Sequence, residues 1–189
     1  MSRKSGMFFE AVVPVPLRSP QMMSVIHKEL KKAAKEIKKD FSKTTRTWKH
    51  RPRMEMRIGA VKQLMLGGAA LDMDVGPWEH HRYYDIYTYV DLGTKGPYPI
   101  PKPGNTTAKT LHFRWGGYGS YRAKTSRRVL GAKSGGPTGP MVSFKHVTHP
   151  GIEGRAFSET IAVKWNKKIL HNAGRAMEKA CAVSLHEIL

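Results

Sequence analysis

The side chains of this chain best able to do chemistry are four histidines, His80, His81, His146 and His149, and a local group of acids, Asp72, Asp74, Glu79, Asp85 and Asp91. Histidines could bind zinc, and clustered carboxylates could hold the Mg²⁺ of a nuclease. Their spacing argues against both. Neighbouring residues of a strand point to opposite faces, so His80 and His81 would not converge, and His146 and His149 straddle a turn with no acid or thiol at a zinc-like spacing. Asp72 and Asp74 do share one face of an alternating segment, but no lysine-containing nuclease motif follows them. Alternating Asp is the ordinary wet face of a half-buried strand. Gly116-Gly117-Tyr118-Gly119 lacks the Gly-Lys-Ser/Thr ending of a phosphate loop and opens onto no helix. No catalytic residue, metal or cofactor is expected, and the chain is read as a non-enzyme.

The constellation that survives is Arg114, Trp115, Tyr118, Tyr121 and Arg122, in and after an aromatic strand, with Lys95 and Tyr98 in the loop before it. Arg interleaved with aromatics can stack on bases. The same residue types dominate protein–protein hot spots. Lys and Arg number 33 against 14 Asp and Glu, a formal charge of +19 that draws polyanions or acidic protein partners. No helix-turn-helix, zinc module or aromatic-sheet signature is complete, and the charge is spread from Arg3 to Lys179, so general attraction is expected and sequence-specific reading is not. A lone cysteine, Cys181, excludes an intrachain disulfide. With no apolar run of signal-peptide or membrane-span length, the chain is expected to be soluble, made in the cytosol and free of membrane contact.

The elements that must position these residues can be read from periodicity. Ser19-Pro20 reads as an N-cap and first helical proline, followed by a stripe of Met22, Met23, Ile26, Leu30, Ala33, Ala34, Ile37 and Phe41 at helical spacing, with most lysines elsewhere. Met54–Ile58 and Leu71–Val75 alternate with period two and predict strands. Tyr83–Leu92, rich in aromatic and β-branched residues, also reads as a strand, as do the segments around Phe113 and Phe144. Thr94–Lys109 is Pro-rich and Gly116–Pro140 is Gly-rich, so both read as long loop arms that order against other subunits. Ser158 reads as the cap of a final helix, with Glu159 in its first turn and a stripe of Ile161, Trp165, Ile169, Ala173, Ala176, Ala180 and Val183. The expected fold is α+β: an antiparallel sheet of about four to five strands packed by an N-terminal and a C-terminal helix. Residues 1–18 are expected to form an N-terminal arm and 19–189 a single domain with extended loops at 94–109 and 116–140.

Three patterns occur in a fixed order: Tyr89-Val90-Asp91-Leu92-Gly93-Thr94, then Leu111-His112-Phe113-Arg114-Trp115-Gly116-Gly117, then Val142–Val147 leading into His149-Pro150-Gly151 and Phe157. In this order the chain resembles the tail-completion, or head–tail joining, proteins of long-tailed bacteriophages, over roughly residues 20 to 180. The resemblance implies a structural virion protein of the neck, forming a homo-hexameric ring between the head connector or stopper ring and the tail terminator or tail tube, with genomic DNA passing through its channel. It also implies that Gly93, Thr94, His149, Pro150, Gly151 and Phe157 occupy motif positions at turns and at the helix opening. The runner-up from another class is a cytosolic, non-specific nucleic-acid-binding protein.

Overall fold

The computed structural model describes residues 7–13, 20–60, 62–63, 69–100, 110–116 and 121–186. Helix α1 (Pro20–Thr44) has no glycine and no proline after its first position. Its stripe of Ile26, Leu30, Ala33, Ala34, Ile37 and Phe41 is buried, as the periodicity predicts. Strand β1 (Met7–Val13) and strand β2 (Met54–Ile58) pair antiparallel along the two edges of β4 (Ala69–Pro77), and short β3 (Lys62–Gln63) pairs with the start of β4. Register sets Phe9 opposite Met73 and Met56 opposite Val75. Along β4 the alternation is clean: Leu71, Met73 and Val75 are fully buried beneath α1, whereas Asp72 is half-buried and Asp74 exposed on the other face.

The fold is α+β with antiparallel sheets, but the strands are not those expected. Residues 7–13, assigned from sequence to an arm, form an edge of the central sheet. Residues Tyr84–Leu92 form helix α2 and not a strand. Aromatic and β-branched residues favour strands by propensity, yet a short apolar run fits either period, and here packing decides. The i, i+4 pair Tyr87 and Asp91 shares one helical face and is buried. Tyr87 sits among the rings of Phe41, Trp48 and Phe157, with centroids 6.1 to 6.2 Å away. The later strands do not extend the central sheet. They make three two-stranded ribbons: β5 (Thr94–Pro99) with β10 (Thr148–Ile152), β6 (Leu111–Arg114) with β9 (Met141–Phe144), and β7 (Tyr121–Arg122) with β8 (Gly136–Pro137). Parts of both expected loop arms are therefore strands. Residues 101–109 and 117–120 of those arms lie outside the described residues.

Helix α3 (Phe157–His186) buries Phe157, Ile161, Trp165 and Ile169 against the same core. One buried carboxylate locks it to α1. Asp40 Oδ2 accepts from Trp165 Nε1 at 2.8 Å and from Lys164 Nζ at 2.5 Å. Burial pushes the Asp40 carboxyl up, but the bonds from Lys164 and Trp165 and the charges of Lys164 and Lys43 outweigh it and hold the pKa below the ordinary 3.8. A depressed folded pKa means this contribution is complete above the unfolded value and lost as pH falls through the folded one. Replacing Asp40 with Ala removes the acceptor of a buried indole N–H, at a cost of about 1–3 kcal/mol in urea unfolding. The gap in stability between native protein and Asp40→Asn is expected to narrow below about pH 4, and a gap that stays constant down to pH 2 would contradict the assignment.

Candidate functional site

Two segments far apart in sequence, 90–94 and 149–158, are stitched together at the point from which the β5–β10 ribbon leaves. The last carbonyls of α2 are satisfied from across the junction: Arg155 N–H donates to Val90 O and Ala156 N–H to Asp91 O, both at 2.9 Å. In return the Asp91 side chain caps α3. Its Oδ1 accepts from the Ser158 amide at 3.1 Å and its Oδ2 from the Ser158 hydroxyl at 2.6 Å. The cap expected from Ser158 thus comes from a carboxylate 67 residues earlier, placed where the helix dipole favours a negative charge. Tyr87 lies beside it, and burial first, then the Asp91 charge, pushes its phenol well up. The Ser158 and Thr44 hydroxyls face Tyr87 and pull the other way, without a bond of ordinary geometry.

Beyond the cap the two backbones nearly touch, and this explains the glycines of the motif. Gly93 closes α2 at φ +81°, and a Cβ there would lie 2.6 Å from Ile152 O. Gly151 has φ +98°, and a Cβ there would lie 2.7 Å from Thr94 O. Thr94 Oγ1 accepts from the Ile152 amide at 3.0 Å. His149, Pro150 and Gly151 do not form a turn between elements, as expected; they lie within β10, where the register shifts at a bulge. His149 Nδ1 accepts from the Gly151 amide at 3.0 Å, the local hydrogen bond expected of it. Its ring stacks on Tyr98 of β5, 5.1 Å apart and 18° from parallel. The motif positions Gly93, Thr94, His149, Pro150 and Gly151 therefore meet in one place, and Phe157 anchors the first turn of α3 in the core.

Of the expected interface residues, Lys95 is exposed on β5 and Tyr98 is half-buried by His149. Arg114 and Trp115 lie at the end of the β6–β9 ribbon. Along β6 and its continuation, Leu111, Phe113 and Trp115 alternate onto one face, and the register sets Phe144 and Val142 of β9 opposite the first two. Ring centroids of Phe113 and Trp115 lie 6.0 and 5.9 Å from Phe144. Trp115 and Phe144 are each 40% exposed, so this apolar face is only half covered. The other face is polar, with Ser143 Oγ 2.7 Å from His112 Nδ1. Arg122 is exposed and pairs through its backbone with Gly136, and Tyr121 with Pro137. Tyr118 lies outside the described residues. The constellation is thus spread over separate ribbons.

The segment after Arg122 is held to its own domain, not left as a free arm. Lys133 N–H donates to Lys124 O at 2.8 Å, Thr47 Oγ1 donates to Lys133 O at 3.1 Å, and Arg128 N–H donates to Arg155 O at 2.8 Å. His80 and His81 sit in the turn before α2 and not on a strand, near Trp78. Among the described residues no three His, Cys, Asp or Glu side chains come together as metal ligands. No described helix is long and apolar enough to cross a membrane. Sequence reasoning missed the outer face of α2, where Ile86, Tyr89 and Leu92 are 39%, 53% and 49% exposed. The i, i+3 spacing was its signal, masked by the strand assignment.

The junction makes opposite demands at two backbone positions with positive φ. Gly93→Ala adds both a strained conformation and a clash, and is expected to lower stability by about 2–5 kcal/mol. Ala156 also has a positive φ, +54°, without being glycine. Ala156→Gly relieves that strain and is expected to raise stability by up to about 1 kcal/mol. Chemical denaturation of the two variants checks the pair, and equal effects of the same sign would refute the account. Compared with known proteins, the chain matches no family model, no curated protein and no solved structure.

Proposed function

We propose that this chain is a structural protein of a phage particle: a neck ring subunit that joins the DNA-filled head, on its connector side, to the tail tube. The observation carrying this reading is the pairing of a rigid core with a half-covered aromatic ribbon. The core consists of α1 and α3 locked through Asp40, the central sheet, and the Asp91 junction. The ribbon offers Leu111, Phe113, Trp115, Val142 and Phe144 outward from it. Isolated two-stranded ribbons are marginal in water, so a face of this kind is one that assembly completes. The convergence of Gly93, Thr94, His149, Pro150 and Gly151 on one junction gives the resemblance to tail-completion proteins a physical role, that of fixing the base of the β5–β10 ribbon. In this reading the protein acts in the virion neck after synthesis in the host cytoplasm, as a homo-oligomer between the connector or stopper ring and the tail terminator or tube. It catalyses nothing and needs no cofactor.

A specific observation favours a second reading, non-specific nucleic-acid binding. Lys28, Lys31, Lys35 and Lys38 follow one another at helical i, i+3, i+4 spacing on α1, a stripe about 15 Å long, and none forms an ion pair among the described residues. Nearby Lys32 and Lys39 are paired with Glu29 and Glu36.

Deleting the gene is the test that separates the two. Under the neck reading, full heads and finished tails accumulate unjoined, and normal infectious particles would sink it. Under the second reading, changing the four stripe lysines to Gln makes the salt dependence of duplex DNA affinity shallower by about 3–4 in the log–log slope, and particles still join.

A further inference from the structure

Two exposed apolar faces of this chain differ in charge. On the outer side of α2, Ile86, Tyr89 and Leu92 are exposed beside Asp85, which makes no ion pair among the described residues. In a chain with 33 Lys and Arg against 14 Asp and Glu, an unpaired acid beside an apolar stripe is an uncommon surface. The β6–β9 ribbon has the opposite character. Its half-covered face of Leu111, Phe113, Trp115, Val142 and Phe144 is bounded by Arg114 at one end and Lys145 at the other, both exposed and free of ion pairs among the described residues. The exposure of both faces means that neither covers the other within one chain.

We infer that these two faces are partners between copies: the aromatic ribbon of one copy docks on the outer face of α2 of the next. The inference deepens the neck-ring reading, on which it rests for its biological setting, by naming the surfaces that join subunits. Apolar area supplies the attraction, with about 25 cal/mol for each Å² buried. The Asp85 carboxylate facing Arg114 or Lys145 sets orientation and disfavours ribbon-to-ribbon contact, which would bring like charges together. The two faces are different patches of one surface, so the contact is heterologous. Each copy keeps a free ribbon at one end and a free α2 face at the other, and such contacts close into a ring or run on as a filament.

The test uses the full chain and two single variants, Tyr89→Glu and Trp115→Glu, each checked for native helix content by circular dichroism. Each buries a charge in one face only and is expected to lose self-association alone. An equimolar mixture is expected to form one-to-one dimers and nothing larger, seen by native mass spectrometry, because the Tyr89→Glu copy keeps its ribbon and the Trp115→Glu copy keeps its α2 face. Absence of mixed dimers from folded variants overturns the inference, as does undiminished self-association of either variant alone. If a glutamate variant fails to fold, Tyr89→Ser and Trp115→Ser carry the same mixing experiment. The failure of these surfaces is distinguishable from that of the neck reading: no mixed dimers, with heads and tails unjoined in the deletion strain, rejects the surfaces and keeps the neck. Mixed dimers with normal joining in the deletion strain do the reverse.

Discussion

Most of this fold depends on one carboxylate, that of Asp91. It leaves the last turn of α2, supplies the missing acceptor at the start of α3, and sits where the backbone of residues 155–156 closes the end of α2. Each helix end supplies what the other lacks. A helix terminus normally satisfies its orphan groups with its own neighbours or with water; here the partner lies 67 residues away. The order of the chain's elements is therefore converted into a fixed geometry: α2 cannot form its end without the start of α3. Because β5 and β10 emerge from the two sides of this joint, the direction of their ribbon is set by it as well. The crossing is tight enough that glycine is required at Gly93 and Gly151. Flexibility there would cost the ribbon its aim.

Burying Tyr87 beside Asp91 shows what the joint costs. A phenol fully enclosed by Phe41, Trp48 and Phe157, with no hydrogen bond of good geometry for its hydroxyl, gives up part of what its ring contributes. A phenylalanine would avoid the cost. Charge pulls on the molecule in the same two-sided way. Copies carrying +19 repel one another at long range, over the roughly 10 Å that salt leaves unscreened at 0.1 M. Only contacts that bury apolar area at short range can overcome that repulsion, so any self-association has to run through the few exposed aromatic and aliphatic patches.

What could be read from the sequence follows from which interactions are local. The α1 stripe, the β2 and β4 alternation and the α3 stripe through Ile169 repeat within one element, and periodicity exposed them. The same method failed at Tyr84–Leu92, because nine residues rich in tyrosine and β-branched side chains satisfy both periods and only the rings of Phe41, Trp48 and Phe157 select the helix. It failed at residues 7–13, whose pairing with β4 spans some sixty residues that no local pattern encodes. The motif glycines were legible as positions where a backbone must do something unusual. Which strand would crowd them was not, since that depends on the non-local approach of Ile152 and Thr94. The aromatic and basic constellation was found as a composition and broken up by topology, with Tyr98 on one ribbon, Arg114 and Trp115 on a second, and Arg122 on a third.

That separation bears on what the surface can do. A nucleic-acid groove needs its aromatics and cations on one continuous path, whereas here Trp115 shares its face with Phe113 and Phe144 and the paired ring of Tyr98 is spent on His149. The lysines of α1 lie on a helix without any exposed aromatic among its described side chains, so they can neutralise phosphates but offer no platform for bases. Attraction and recognition are thus carried by different parts of the molecule. The helices supply long-range charge that gathers acidic partners, and the ribbons and α2 supply the short-range apolar contacts that decide which approach becomes a fixed contact. For a protein that must wait in solution and commit only at an assembled particle, such a division keeps encounter fast and permanent contact selective.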